Sequence, residues 1–158
     1  MEPLAPLIVE LPDEAATLRL GQALARLARP GDVIAREGAL GCGKTALARA
    51  FIRARAGVEE EVPSPTFTLA QSYDTADGTV WHFDLYRLEK AEDALELGIE
   101  EAFAEAITLI EWPERLGPWL PADRLAVHLA AGAMPTERRA TLIGGGVWTT
   151  RLREMFGG

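Results

Sequence analysis

Gly38-Ala39-Leu40-Gly41-Cys42-Gly43-Lys44-Thr45 places a glycine, four residues, and then Gly-Lys-Thr in one run. That spacing suits a phosphate chain. Small residues let successive backbone N–H groups turn inward, and a helix N-terminus adds partial positive charge where phosphate oxygens would lie. In that geometry the backbone of Leu40, Gly41, Cys42, Gly43, Lys44, Thr45 and Ala46 lines the phosphates. Lys44 reaches the β and γ phosphates, and the Thr45 hydroxyl is a ligand for Mg2+. The bland alternative is a glycine-rich turn that happens to precede a helix; the apolar Val33-Ile34-Ala35 before it and the helix-favouring Ala46-Leu47-Ala48 after it argue against that. Lys44 is one of two lysines among sixteen basic residues, so an ammonium is kept where guanidinium is otherwise the rule. Cys42, the lone cysteine, reads as a small loop filler, with a redox role as the weaker alternative.

A phosphate loop needs a carboxylate to organise its metal. Glu111 follows the apolar Thr108-Leu109-Ile110, as an acid at the carboxyl end of a buried strand, and Asp84 lies in Trp81-His82-Phe83-Asp84-Leu85-Tyr86. Either could instead be a solvated strand-end acid. Alternation puts His82, Asp84 and Tyr86 on one strand face and Phe83 and Leu85 on the other, so the polar face needs partners. His82 reads as a structural hydrogen-bonder rather than a catalyst. Ser64-Pro65-Thr66-Phe67-Thr68 offers hydroxyls on a stiffened backbone, where switch segments of nucleotide hydrolases meet the γ phosphate; a plain strand entry is the alternative. Trp112 is either a core aromatic or a part-exposed neighbour of the site.

These residues require elements to hold them. Leu7-Ile8-Val9 reads as a strand, Asp13 as an N-cap, and Leu20, Leu24 and Leu27 as one face of a helix ended by Arg29-Pro30-Gly31. Asp32 to Arg36 is a buried strand that runs into the glycine loop. Thr66 to Tyr73 and Thr79 to Tyr86 alternate as strands joined at Asp77-Gly78, a hairpin signal. Lys90 to Ala106 reads as helix interrupted at Gly98. Thr108 to Ile110, Leu125 to Leu129 and Ala140 to Ile143 read as strands, and Val147 to Phe156 as a helix with Trp148, Leu152 and Phe156 on one side. Strands alternating with helices, plus one hairpin, predict an α/β fold: a mixed sheet flanked by helices on both faces.

The 158 residues form one expected domain, residues 1–158, and 48% hydrophobic content is enough for a core. The formal charge of −8 repels a polyanion, which disfavours a stand-alone nucleic-acid binder. One cysteine excludes an internal disulfide and a thiolate metal site. The absence of a long apolar run or a signal-like start predicts a cytoplasmic protein with no membrane partner.

The loop Gly38–Thr45, then Ser64-Pro65-Thr66-Phe67, then His82-Phe83-Asp84-Leu85-Tyr86-Arg87-Leu88, then Ile110-Glu111-Trp112-Pro113-Glu114 together resemble the TsaE family of bacterial tRNA threonylcarbamoyladenosine biosynthesis. The likeness runs from about Leu7 to Ile143. It implies a P-loop NTPase-like fold and an ATP and Mg2+ site with weak hydrolysis. It also implies partners TsaB and TsaD, whose complex this subunit regulates or resets while tRNA is met only through that complex. By the resemblance Lys44 binds phosphate, Thr45 and Glu111 hold Mg2+, Thr66 is the switch threonine, Asp84 is the acid needed for activity, and Trp112 lies near the nucleotide. Ala39 and Cys42 depart from the family's usual Asp and Ala. Two other readings stay open: a small-molecule kinase, for which Arg115, Arg124, Arg138 and Arg139 form no lid motif, and a nucleotide-gated scaffold with vestigial hydrolysis. No Asn-Lys-x-Asp run reads guanine, so a preference for adenine rests on the resemblance alone.

Overall fold

The computed structural model describes residues 6–38, 44–57, 70–76, 78–135 and 137–156. Within them the order is β1 (Leu7–Leu11), α1 (Glu14–Leu27), β2 (Val33–Gly38), α2 (Lys44–Ala56), β3 (Ala70–Thr75), β4 (Gly78–Asp84), α3 (Asp93–Glu96), α4 (Ile99–Glu105), β5 (Ile107–Glu111), a 3-10 segment (Pro113–Trp119), β6 (Leu125–Ala131), β7 (Arg138–Gly144) and α5 (Val147–Phe156). All seven strands join one mixed sheet in the order β1-β7-β6-β2-β5-β4-β3. β6, β2, β5 and β4 are mutually parallel at its centre, and β7 and β3 run antiparallel to their neighbours. The chain is therefore α/β, as the alternation of elements predicts.

Local chemistry explains the elements that frame the sheet. Asp13 caps α1, its Oδ1 accepting from the Ala16 N–H at 2.8 Å, and Leu20 and Leu24 face the core. α1 packs closely on α2 because Gly21 has no side chain: a Cβ there would sit 2.7 Å from Ala50 Cβ. Arg55, at the end of α2, donates from Nη1 to the carbonyls of Ala25 and Ala28 at 3.0 and 2.9 Å, so the last turn of α1 finds partners there. Gly98, at φ 83°, breaks the predicted Lys90–Ala106 helix into α3 and α4.

The core has two parts. Ile34, Leu47, Phe51, Val80, Leu109 and Trp148 belong to the cluster beneath α1, α2 and α5, whereas Val33, Phe83, Ile99, Ala102, Ile110 and Leu116 pack on the opposite side beneath α4 and the 3-10 segment. The alternation along each central strand divides its side chains between these two layers. The expected cover on both faces holds only over the centre. Over β1, β7 and β6 none of the described helices covers the second face, where Ile8, Glu10, His128, Arg139 and Ile143 are exposed. The 3-10 segment was not anticipated, because Pro113 and Pro118 obscure its turns.

The carboxyl-terminal helix is tied down by charge and burial. Trp148 is fully buried, the Arg151 guanidinium lies 5.1 Å from its ring centroid, and Arg151 Nη1 also pairs with the Asp32 carboxylate. Among the described residues, no helix is long and apolar enough to cross a membrane.

Candidate functional site

Four parallel strands end at the same edge of the sheet, and there the register brings together residues far apart in sequence. Val127, Arg36, Glu111 and Asp84 form one row across β6, β2, β5 and β4. Two residues back along β4, His82 lies beside Leu109 of β5. By alternation, Arg36, Glu111, His82 and Asp84 share the face on which α2 packs, the face of Ile34, Leu109 and Val80. Arg36 and Glu111 line one pocket with Leu47, Ala48 and Phe51 of α2. α2 begins at Lys44, and Leu47 and Ala48 of its first turns are among the residues that line that pocket.

All four polar residues are buried: Glu111 is 2% exposed, His82 4%, Arg36 5% and Asp84 8%. Burying a carboxylate is costly unless it is paired or hydrogen-bonded. Arg36 Nε donates to Glu111 Oε2 at 2.5 Å, and the guanidinium reaches the Glu37 carbonyl from Nη1 at 3.3 Å. Asp84 Oδ1 accepts from the Tyr86 N–H at 3.2 Å, a turn that closes the end of β4. His82 Nε2 lies 3.7 Å from Glu111 Oε1, beyond hydrogen-bond range, and neither ring nitrogen has a hydrogen-bond partner among the described residues. The expectation that His82 is a structural hydrogen-bonder is therefore not met.

Glu111 and Asp84, proposed from sequence as strand-end acids, are register neighbours. Neither is a solvated strand-end acid. Tyr86 is placed differently from the expectation. β4 stops at Asp84, so Tyr86 lies past the strand, 47% exposed, and its ring packs on Trp112 with centroids 4.9 Å apart. Trp112 is half-buried against the second core cluster and adopts φ 61°, the left-handed region that few non-glycine residues enter. It is the only such non-glycine among the described residues, and it directly follows Glu111. Backbone held this way next to a buried acid is a feature of functional sites.

Lys44 and Thr45 form the start of α2, followed by the half-buried Ala46; the side chains of Lys44 and Thr45 lie outside the described residues. So do Ala39, Leu40, Gly41, Cys42, Gly43 and the Ser64–Thr68 segment with Thr66. Sequence reasoning missed Arg36, reading it only as the end of a strand. The signal was present, since a charged residue two positions after Ile34 must share its buried face.

The donor set fits Mg2+. This ion takes hard oxygen ligands, using one or two carboxylates and completing its shell with phosphate and water. Buried Glu111 and Asp84 supply oxygens of that kind on the sheet face where α2 packs, and a helix amino end suits phosphate.

A mixed sheet with its parallel centre, a strand-to-helix crossing after β2 and acids at the neighbouring strand ends define a P-loop NTPase-like α/β protein. Residues 11–140 match the family described as threonylcarbamoyl adenosine biosynthesis protein TsaE. The chain belongs to the TsaE family. Similar relatives, each described as tRNA threonylcarbamoyladenosine biosynthesis protein TsaE, include one from Rickettsia felis, 40% identical over 75% of this chain and 70% of its own. Another, from Bacillus subtilis, is 34% identical over 81% of this chain and 80% of its own. The crystal structure of Bacillus subtilis YdiB superposes with a TM-score of 0.78 at 28% identity, covering 98% of this chain and 95% of that one.

Proposed function

We propose that this protein binds ATP and Mg2+ at the amino end of α2 and hydrolyses the nucleotide slowly, as the ATPase subunit of threonylcarbamoyladenosine formation in tRNA. The observation that carries the reading is the buried register pair of Glu111 and Asp84 beside the β2-to-α2 crossing. Relatives named for this biosynthesis support the pathway.

In this reading the loop amides from Leu40 to Ala46 bind the phosphates and Lys44 offsets charge on the β and γ groups. Thr45 and Glu111 are the metal ligands. Mg2+ held there would supply charge neutralisation at the phosphates. Asp84 and Thr66 orient the attacking water, and Trp112 flanks the nucleotide. The acidic surface, −8 overall, fits a cytoplasmic subunit that meets tRNA through TsaB and TsaD rather than directly.

Hydrolysis of ATP by the purified protein, alone and with TsaB and TsaD, tests this with Lys44→Ala as the blank. Slow turnover that rises with the partners and vanishes in the variant is expected. Undiminished hydrolysis by Lys44→Ala would overturn the assignment of the site.

A further inference from the structure

The parallel ladder between β4 and β5 ends at the two acids. Asp84 and Glu111 are its last register pair, and just beyond them the Leu85 N–H donates to the Glu111 carbonyl at 3.1 Å. After that bond the chains part, one into a turn closed by the Leu88 N–H on the Leu85 carbonyl at 3.0 Å, the other into the 3-10 segment at Pro113. A side-chain contact then joins the two exits again: the rings of Tyr86 and Trp112 pack with centroids 4.9 Å apart and planes tilted by 47°. Both residues sit against an acid of the row. Trp112 follows Glu111 directly, and the Tyr86 N–H donates to Asp84 Oδ1 at 3.2 Å. The contact is not simple core packing, because Tyr86 is 47% exposed. Trp112 also holds φ 61°, a backbone state that persists only where its surroundings impose it.

We propose that the Tyr86–Trp112 ring pair is a clamp that fixes the spacing of the strand ends carrying Asp84 and Glu111, and with it the fit of the site to a small divalent ion. The inference rests on the ATP and Mg2+ reading of this site. Mg2+ demands near-ideal octahedral geometry at about 2.0–2.1 Å, whereas Ca2+ accepts looser ligand sets at about 2.3–2.6 Å. Strand ends held by the rings satisfy the smaller ion. Strand ends free to drift penalise it and leave the larger one little affected. Tyr86 is a positioning residue in this scheme, since it acts through the end of β4 and not on the reacting atoms. Ring packs on ring, so the aromatic face carries the effect and the hydroxyl does not.

The test compares wild type, Tyr86→Ala and Tyr86→Phe as full chains, by calorimetric titration of ATP at fixed Mg2+ or at fixed Ca2+. In Mg2+ the ATP affinity of Tyr86→Ala should fall about tenfold or more, the size of effect known for outer partners of a metal site. In Ca2+ it should stay within about twofold of wild type. Tyr86→Phe should match wild type with both ions. Equal losses in the two ions, or no loss in Mg2+, overturn the proposal, as does a Tyr86→Phe that fails like Tyr86→Ala. If Tyr86→Ala does not fold, Tyr86→Gln, which keeps reach without the ring, takes its place under the same outcomes. A nucleotide-free arm follows amide exchange at Leu85, whose N–H bonds the Glu111 carbonyl. Exchange there should be at least about tenfold faster in Tyr86→Ala than in wild type or Tyr86→Phe; an unchanged rate overturns the clamp. Should wild type bind ATP with neither ion while the exchange difference persists, the nucleotide reading fails and the clamp between β4 and β5 stands.

Discussion

Asp84 and Glu111 stand opposite each other at the carboxyl ends of the parallel strands β4 and β5. Twenty-seven positions separate them in the chain, yet the register makes them neighbours on the face that meets α2. Their surroundings differ: Glu111 is tied to Arg36, whereas Asp84 accepts from the backbone of Tyr86. The two acids should therefore respond differently to mutation.

Asp84→Asn retains a carbonyl oxygen where Oδ1 accepts from Tyr86 N–H. Stability should fall by about 1.5–3 kcal/mol, the range for hydrogen bonds to a charged group. ATP hydrolysis should fall by about 10²–10⁴-fold, the range for a residue that orients or deprotonates the attacking group. Steady-state turnover and urea melts on the same preparation check both halves; a stable variant with full turnover removes Asp84 from the chemistry.

Glu111→Ala leaves the Arg36 guanidinium buried without its carboxylate. Breaking one side of a buried pair costs about 3–5 kcal/mol, so the urea midpoint should drop sharply. Replacing both residues, as Arg36→Met with Glu111→Leu, should recover most of that loss while abolishing the Mg2+ dependence of nucleotide binding. A double variant as unstable as Glu111→Ala alone would show that the pair is not what holds these strand ends.

Gly21 lies where α1 meets α2, and an added Cβ would come within 2.7 Å of Ala50 Cβ and 3.0 Å of the Leu47 carbonyl oxygen. Gly21→Val should cost about 1–3 kcal/mol through overpacking. Because α2 opens at the phosphate loop, ATP affinity should fall with it. Thermal melting and calorimetric titration of ATP measure the two effects, and an unchanged melt would contradict the close approach.

Trp112 is one of four tryptophans and the one that follows Glu111. Addition of ATP with Mg2+ should change intrinsic fluorescence in the wild type and leave it unchanged in Trp112→Phe. A signal of full size in Trp112→Phe would assign the reporter to Trp81, Trp119 or Trp148.

Trp148 fills the core beneath α5, fully buried. Trp148→Ala should destabilise by about 3–5 kcal/mol through the cavity it opens. Arg151→Ala, which removes the contact over that ring and the pairing to Asp32, should loosen α5 first, read as faster amide exchange across residues 147–156.

The sequence by itself determined the α/β class, the Gly38–Thr45 phosphate pattern and the two acids worth watching, because these depend on spacing and alternation along short stretches. Asp13 as a cap, the break at Gly98 and the buried face of Val147–Phe156 were legible for the same reason. Tertiary structure alone decided the rest. That Glu111 faces Asp84 and is gripped by Arg36 follows from the register of parallel strands, which long crossovers set and no local signal encodes. That Tyr86 leaves its strand to pack on Trp112, and that none of the described helices covers the second face over β1, β7 and β6, depends on which helices reach which face. Residues close in the chain reveal themselves by pattern, whereas those joined across a parallel sheet meet only when the whole core has packed.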